Sequence, residues 1–192
     1  RTAAVYDVEK LAWMNGHYLR AADLDRLADL VEPRLAAAGL LDGQRSDRPW
    51  LKQLLAAVRD RARTLAEIPD LVSYFFREPE AYEEKGVRKH FKPEAAGLLE
   101  EARAVLAGLE PWTVEAIEAA YRGLAARLGI AAGALIHPTR LALTGRTVGP
   151  GLFDVIYLLG RERCLERLER AARFIRAGNP ALVEAQQVGG NN

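Results

Sequence analysis

The sequence predicts an all-α fold, and three observations predict it. Every apolar run recurs at spacings of three and four residues, no run alternates with the two-residue period of a strand, and the connections between runs are short. Helix-starting residues stand before those runs, as at Asp23 and Thr113. Helix-stopping glycines stand after them, as at Gly39, Gly145 and Gly160.

The composition suits a folded chain of one or two domains: 192 residues, 49% hydrophobic and 28% charged, with a formal net charge of +1. That balance gives no global basic excess, so nucleic-acid binding would have to come from local clusters. A single cysteine, Cys164, excludes an internal disulfide and a thiol-rich metal cluster. The three histidines, at 17, 90 and 137, have no i, i+4 pairing that would suit a metal. No apolar run approaches the roughly 20 residues that span a bilayer, and no leader is visible, so the expected location is the cytoplasm. The chain starts at Arg1 without an initiator methionine, which leads us to expect a piece of a longer protein.

In chain order, Asp7 caps a helix through Arg20 whose core side holds Val8, Leu11 and Tyr18, broadened by Trp13 and Met14. Asp23 caps a second helix with Leu24, Leu27, Val31, Leu35 and Ala38 on one face, closed by Gly39. Pro33 lies inside that pattern and predicts a kink or break near Glu32. After a loop, Ser46 or Asp47 caps a third helix with Pro49 in its first turn, running to about Glu67. Its stripe is Leu51, Leu54, Leu55, Val58, Ala62 and Leu65. On such a helix Arg59 and Arg63 fall on one flank and Arg61 on the other.

Ile68-Pro69 opens a short helix with Val72, Phe75 and Phe76 in the core. REPEAYEEKGVRKHFKPE then reads as a charged connector that is free to bend, and Lys85, Arg88, Lys89 and Lys92 make its second half a candidate for phosphate contacts. Helices resume at Glu94 and again at Thr113, where Val114, Ile117, Tyr121, Leu124 and Leu128 share a face and Trp112 is expected to staple the start.

The stretch His137 to Gly160 is the most punctuated. Pro138 suits the first turn of one helix that Gly145 closes, and Pro150 suits the first turn of another, Leu152 to Leu159. Between them TGRTVGPG is expected to expose backbone. The last helix, Arg161 to Ala177, buries Cys164, Leu165, Leu168, Ala171, Ala172 and Ile175, with Glu166–Arg170 and Glu169–Arg173 as i, i+4 pairs. Cys164 reads as a small core residue. The tail after Gly178 is polar and rich in glycine and is expected to fray.

The run HPTRLALTGRTVGPGLFDVIYLLGRERCLERLERA resembles the last part of bacterial glutamyl-tRNA synthetases, where P-x-R-x-A-L-T-G precedes PGLFE and an arginine-rich helix. DVEKLAWMNGHYLR, near the other end, is similar to that family's K-L-x-W-M-N-G-x-Y segment. The two matches stand in the family's order and cover almost the whole chain to Arg176.

The resemblance implies a division into the end of a stem-contact region at 1–22, two helical anticodon-binding subdomains at 23–84 and 85–177, and a flexible tail at 178–192. It implies tRNA(Glu) as partner. An R-x-R pair supplies the family's reader of the third anticodon base, which by alignment is Arg61. The family's first anticodon base is held by residues corresponding to Arg140, Gly149, Pro150, Gly151 and Leu152; Gly149 departs from the Thr or Ser common there and so lacks a hydroxyl. The all-helical character points to the glutamyl branch, since the related bacterial glutaminyl enzymes bind the anticodon with β-barrels.

The resemblance also implies a class I glutamate–tRNA ligase that attaches glutamate to tRNA using ATP and Mg. The H-x-G-H and K-M-S-K-S type motifs are missing from this sequence, as are a phosphate loop after a strand and a defensible catalytic triad. No catalytic residue, cofactor or metal ligand is therefore expected here, and the chain alone should be inactive. It is expected to be a monomer. The alternatives are an all-α protein-interaction module and a stand-alone tRNA-binding protein. The TGRTVGPG segment discriminates, because exposed glycine backbone beside an arginine suits the Watson–Crick edge of an unstacked base.

Overall fold

The computed structural model describes residues 8–41 and 47–179. The expected cap Asp7, the alternative cap Ser46 and the tail from 180 lie outside the described residues, as do the side chains of Val8, Leu11 and Trp13. Among the described residues the chain is helical, without a strand. They divide into two compact units between Glu78 and Pro79.

The first unit holds α1 (Val8–Ala21), α2 (Leu24–Ala37), α3 (Arg48–Val58) and α4 (Ile68–Phe76). The Asp23 carboxylate accepts from the N–H groups of Asp25 and Arg26, which starts α2 as its sequence predicts. The α2 helix runs through Pro33 without a break and ends at Gly39, whose φ is +69°. The expected interruption near Glu32 is absent because Leu27, Val31 and Leu35 are fully buried on both sides of the proline, so packing outweighs the lost backbone bond. They meet Leu51, Leu54, Leu55 and Val58 of α3 and Val72, Phe75 and Phe76 of α4 in one core.

The α1 helix corrects its sequence reading. Tyr18 and Met14, expected in the core, are 44% and 52% exposed, while Leu19 is buried. The Arg26 guanidinium lies 5.8 Å from the centre of the Tyr18 ring.

The second unit holds α5 (Glu84–His90), α6 (Ala95–Ala107), α7 (Val114–Leu128), α8 (Ala132–Thr144), α9 (Leu152–Leu159) and α10 (Arg161–Arg176). The α10 helix lies along α6 and also packs on α8 and α9, while α7 closes over α9. The Thr113 hydroxyl accepts from the N–H of Ala116 and caps α7. Trp112 donates its indole N–H to the Tyr157 carbonyl at 3.3 Å and lies under the Arg161 guanidinium, so it ties the start of α7 to α9 and α10. On α10 the buried stripe is the expected one except that Leu165 is half-buried and Arg167 replaces it. Glu169 faces Arg103 of α6 at 3.5 Å.

The charged connector is not a free linker. The Tyr82 ring packs 5.0 Å from both Phe91 and Phe174, and the backbone N–H of Glu83 donates to the Gly145 carbonyl at 2.8 Å. Residues 79–84 thus join the second unit, ahead of the expected division at 84/85, and the basic run that follows forms α5.

Candidate nucleic-acid interface

The segment 144–152 is fastened from four directions. The α8 helix ends at Gly145 in the left-handed conformation, φ +73°, as its sequence predicts. A Cβ at that position would lie 2.6 Å from the Ala81 carbonyl oxygen, so only glycine fits both the dihedral and the approach of residues 79–81. The Thr144 hydroxyl donates toward the Arg140 carbonyl at 2.7 Å and accepts from the N–H of Arg146 at 3.0 Å, which satisfies two groups at the helix end. One Glu83 carboxylate oxygen accepts from the Thr147 N–H at 3.1 Å and hydroxyl at 2.7 Å. Gly86 of α5 is buried beneath, where a Cβ would meet the Thr147 methyl at 2.7 Å. Above these ties Val148 stands 71% exposed.

Pro138 and Pro150 occupy other positions than the first turns expected of them. Pro138 is buried inside α8, which begins at Ala132 and is packed by α5, α6, α7, α9 and α10, enough to hold a helix across a missing N–H. Pro150 precedes the Gly151 N-cap of α9. Its carbonyl accepts from Arg140 Nη1 at 2.6 Å. The structure therefore brings Arg140, Gly149, Pro150, Gly151 and Leu152 into one turn, with Leu152 buried, Gly151 exposed and no side-chain cap on α9. The arginine fixes the turn's backbone. Such a turn offers glycine backbone and the first N–H groups of a helix to a ligand with acceptors and donors along one edge.

Arg61 lies in the first unit, and its surroundings correct the continuous helix expected to Glu67. The α3 helix stops at Val58; Arg59–Arg61 form a 3-10 turn, Ala62 is extended and buried, and a second 3-10 turn covers Leu65–Glu67. Arg59, Arg61 and Arg63 therefore do not lie on the two flanks of one helix. Arg59 donates to the Ala22 carbonyl at 3.2 Å, and the backbone N–H of Arg63 donates to the Glu67 carboxylate at 2.7 Å. Arg61 is exposed.

Lys85, Arg88 and Lys89 project from α5 and Lys92 follows it, all exposed. Arg88 pairs with Glu84, four residues earlier. Cys164 is buried with its thiol against the Ile156 carbonyl, and burial pushes that thiol up to about 12, which is inert core behaviour.

Two supports escape the sequence reading. Arg167 is fully buried and donates from Nη1 to the Leu143 carbonyl at 2.7 Å, binding the last turn of α8 to α10. Its spacing was a cue: residue 167 is three beyond Cys164 and four before Ala171, both on the buried stripe. Glu83 carried no such signal, since its partner is Thr147 in a distant part of the chain.

The family model described as "anticodon binding domain" matches residues 26–172. The glutamate–tRNA ligase of Moorella thermoacetica is 55% identical over 179 residues, 92% of this chain and 36% of the relative. The glutamate–tRNA ligase 1 of Caldanaerobacter subterraneus is 48% identical over 176 residues, again 36% of the relative. A crystal structure of a glutamate tRNA ligase from Elizabethkingia meningosepticum, in complex with its amino acid, superposes with a TM-score of 0.81 at 26% identity, covering 88% of this chain and 33% of that one. The chain spans about a third of the length of the relatives it matches.

Proposed function

The chain belongs to the anticodon binding domain family, and from that premise we propose that it recognises the anticodon of tRNA(Glu) as the C-terminal part of a glutamate–tRNA ligase. The observation that carries this reading is the fastened turn at 149–152, since a backbone held before any ligand arrives spends no ordering cost on binding. The identity of 55% to a glutamate–tRNA ligase over 92% of the chain supports the choice of tRNA.

In this proposal the backbone of Gly149, Gly151 and Leu152 reads the edge of the first anticodon base, Arg140 holds Pro150 in place, and Arg61 meets the third base. The exposed Lys85, Arg88, Lys89 and Lys92 supply phosphate contacts that gain affinity by counterion release. The domain acts as a monomer in the cytoplasm; no helix among the described residues is long and apolar enough to cross a membrane. No three histidine, cysteine or carboxylate groups among the described residues come together to hold a metal ion. In this proposal ATP and magnesium, which the ligation needs, belong to the part of the ligase outside these residues.

The test is a fluorescence titration of the 192-residue chain against the anticodon stem-loop of tRNA(Glu) and against a stem-loop of equal length with an unrelated loop, at fixed salt. Preference for the glutamate stem-loop is expected. Equal affinity for both would refute anticodon recognition.

A further inference from the structure

His90, at the end of α5, and His137, on α8, lie with ring centroids 5.0 Å apart and ring planes inclined by 22°, a stacked pair on the surface of the second unit. His137 is exposed and His90 half-buried. Burial, then the charge fields of His137 and Lys89, hold the His90 imidazole below its usual range. The groups that act on it are therefore His137 from α8 and Lys89 from α5, and no carboxylate of a neighbouring element is among them. The two acids at the start of α5 have their own partners, Glu83 with Thr147 and Glu84 with Arg88. Arg140, one turn beyond His137, bonds to Pro150.

Two imidazoles this close repel once both carry a proton, and a lysine beside them adds to the repulsion. An anion at the stack would reverse that balance, because two ring N–H donors and an ammonium would then converge on acceptor oxygens. The pair sits on the same two helices that fasten the 144–152 segment. We propose that His90, His137 and Lys89 form a phosphate-binding site whose ligand is a backbone phosphate of the RNA held by that segment. The choice of RNA as source rests on the anticodon reading above; the site itself does not.

Bound phosphate favours the protonated imidazoles, so it raises their pKa, and affinity grows as pH falls from 8 to 6. Each unit of upward shift corresponds to about a tenfold gain. The experiment follows the His90 and His137 ring resonances through a pH titration of the chain alone, with the glutamate anticodon stem-loop, and with inorganic phosphate. In parallel, stem-loop affinity is measured at pH 8 and pH 6 for wild type and for the double variant His90→Gln, His137→Gln. His17 is common to both proteins, so its contribution cancels.

The expected result is an upward shift of both rings with RNA and a several-fold gain in affinity at pH 6 that the double variant lacks. A shift with inorganic phosphate alone, beside an equal pH gain in both proteins, supports the site but assigns it to a free anion. If neither ligand moves either ring, the site is refuted. Should wild type bind no stem-loop at all, the anticodon reading fails, and the phosphate arm still decides the site.

Discussion

Two stretches of this chain carry an arginine and break helical order, and they do so in opposite ways. Residues 144–152 form a turn tied down by Glu83, Thr144, Arg140 and the close pass of Ala81. Residues 59–64 step from α3 through a 3-10 turn into an extended Ala62, and leave Arg61 exposed at the surface. The difference teaches where recognition would be encoded. In the first stretch it lies in backbone geometry, so substitutions there should reduce stability and binding together; in the second it lies in one guanidinium, so substitution should change selectivity and leave stability within about 0.5 kcal/mol.

The largest expected effect is on Gly145. Alanine there costs about 1–2 kcal/mol for the left-handed dihedral, and overlap with the Ala81 carbonyl at 2.6 Å adds about 1–3 kcal/mol. Urea denaturation of Gly145→Ala should therefore show a loss of about 2–5 kcal/mol. Gly39→Ala sharpens the comparison, because its φ is +69° with nothing within 4 Å of the added carbon, and it should lose only the dihedral part. Equal losses in the two variants would mean that the fastening of the loop to residues 79–81 contributes nothing.

Next is Arg167→Leu, which leaves the buried Leu143 carbonyl without its charged donor. The same denaturation should read a loss of about 1.5–3 kcal/mol, typical of a hydrogen bond to a charged group. An unchanged midpoint would show that α10 does not brace the loop.

Arg140→Ala removes the charged donor that holds the Pro150 carbonyl and should weaken stem-loop binding by up to about 1.5–3 kcal/mol with the helical spectrum intact. Arg140→Lys, which retains a donor for Pro150, should recover part of that loss. Wild-type affinity in the alanine variant would remove the turn from the interface.

The sequence disclosed most of the first-order structure because its signals are local. The Asp23 and Thr113 caps, the Gly39 and Gly145 closures and the buried stripe of α10 all depend on residues within a turn or two of one another. The misread elements are those decided by distant partners. The α5 helix forms from a charged run because Gly86 is buried against Leu141 and Thr147, and Val87 is buried beside Tyr82 and Phe174. The α8 helix survives Pro138 because five helices pack it. The break after Val58 had a faint cue in Thr64-Leu65-Ala66-Glu67, a Thr-x-x-Glu spacing that often starts a new turn, and Glu67 does accept the Arg63 N–H at 2.7 Å. In the candidate interface, the turn at 149–152 was legible from its prolines and glycines, whereas the tie from Arg140 to Pro150 required the folded chain.

The central claim, that an exposed arginine of the first unit gives this domain its preference among anticodons, has a direct measurement. Glutamate anticodons carry C at the third position and glutamine anticodons carry G. Cytosine presents the acceptors N3 and O2 on its pairing edge, while guanine presents two N–H donors. Arginine is all donor, so it satisfies cytosine and opposes guanine. Two anticodon stem-loops differing only at that base are titrated against wild type and Arg61→Gln at fixed salt. Wild type is expected to favour C by about 1–3 kcal/mol, and Arg61→Gln, whose amide can face either base, to lose most of that preference while keeping wild-type stability. An equal preference for C in both proteins would contradict the account and move the reader of the third base away from Arg61.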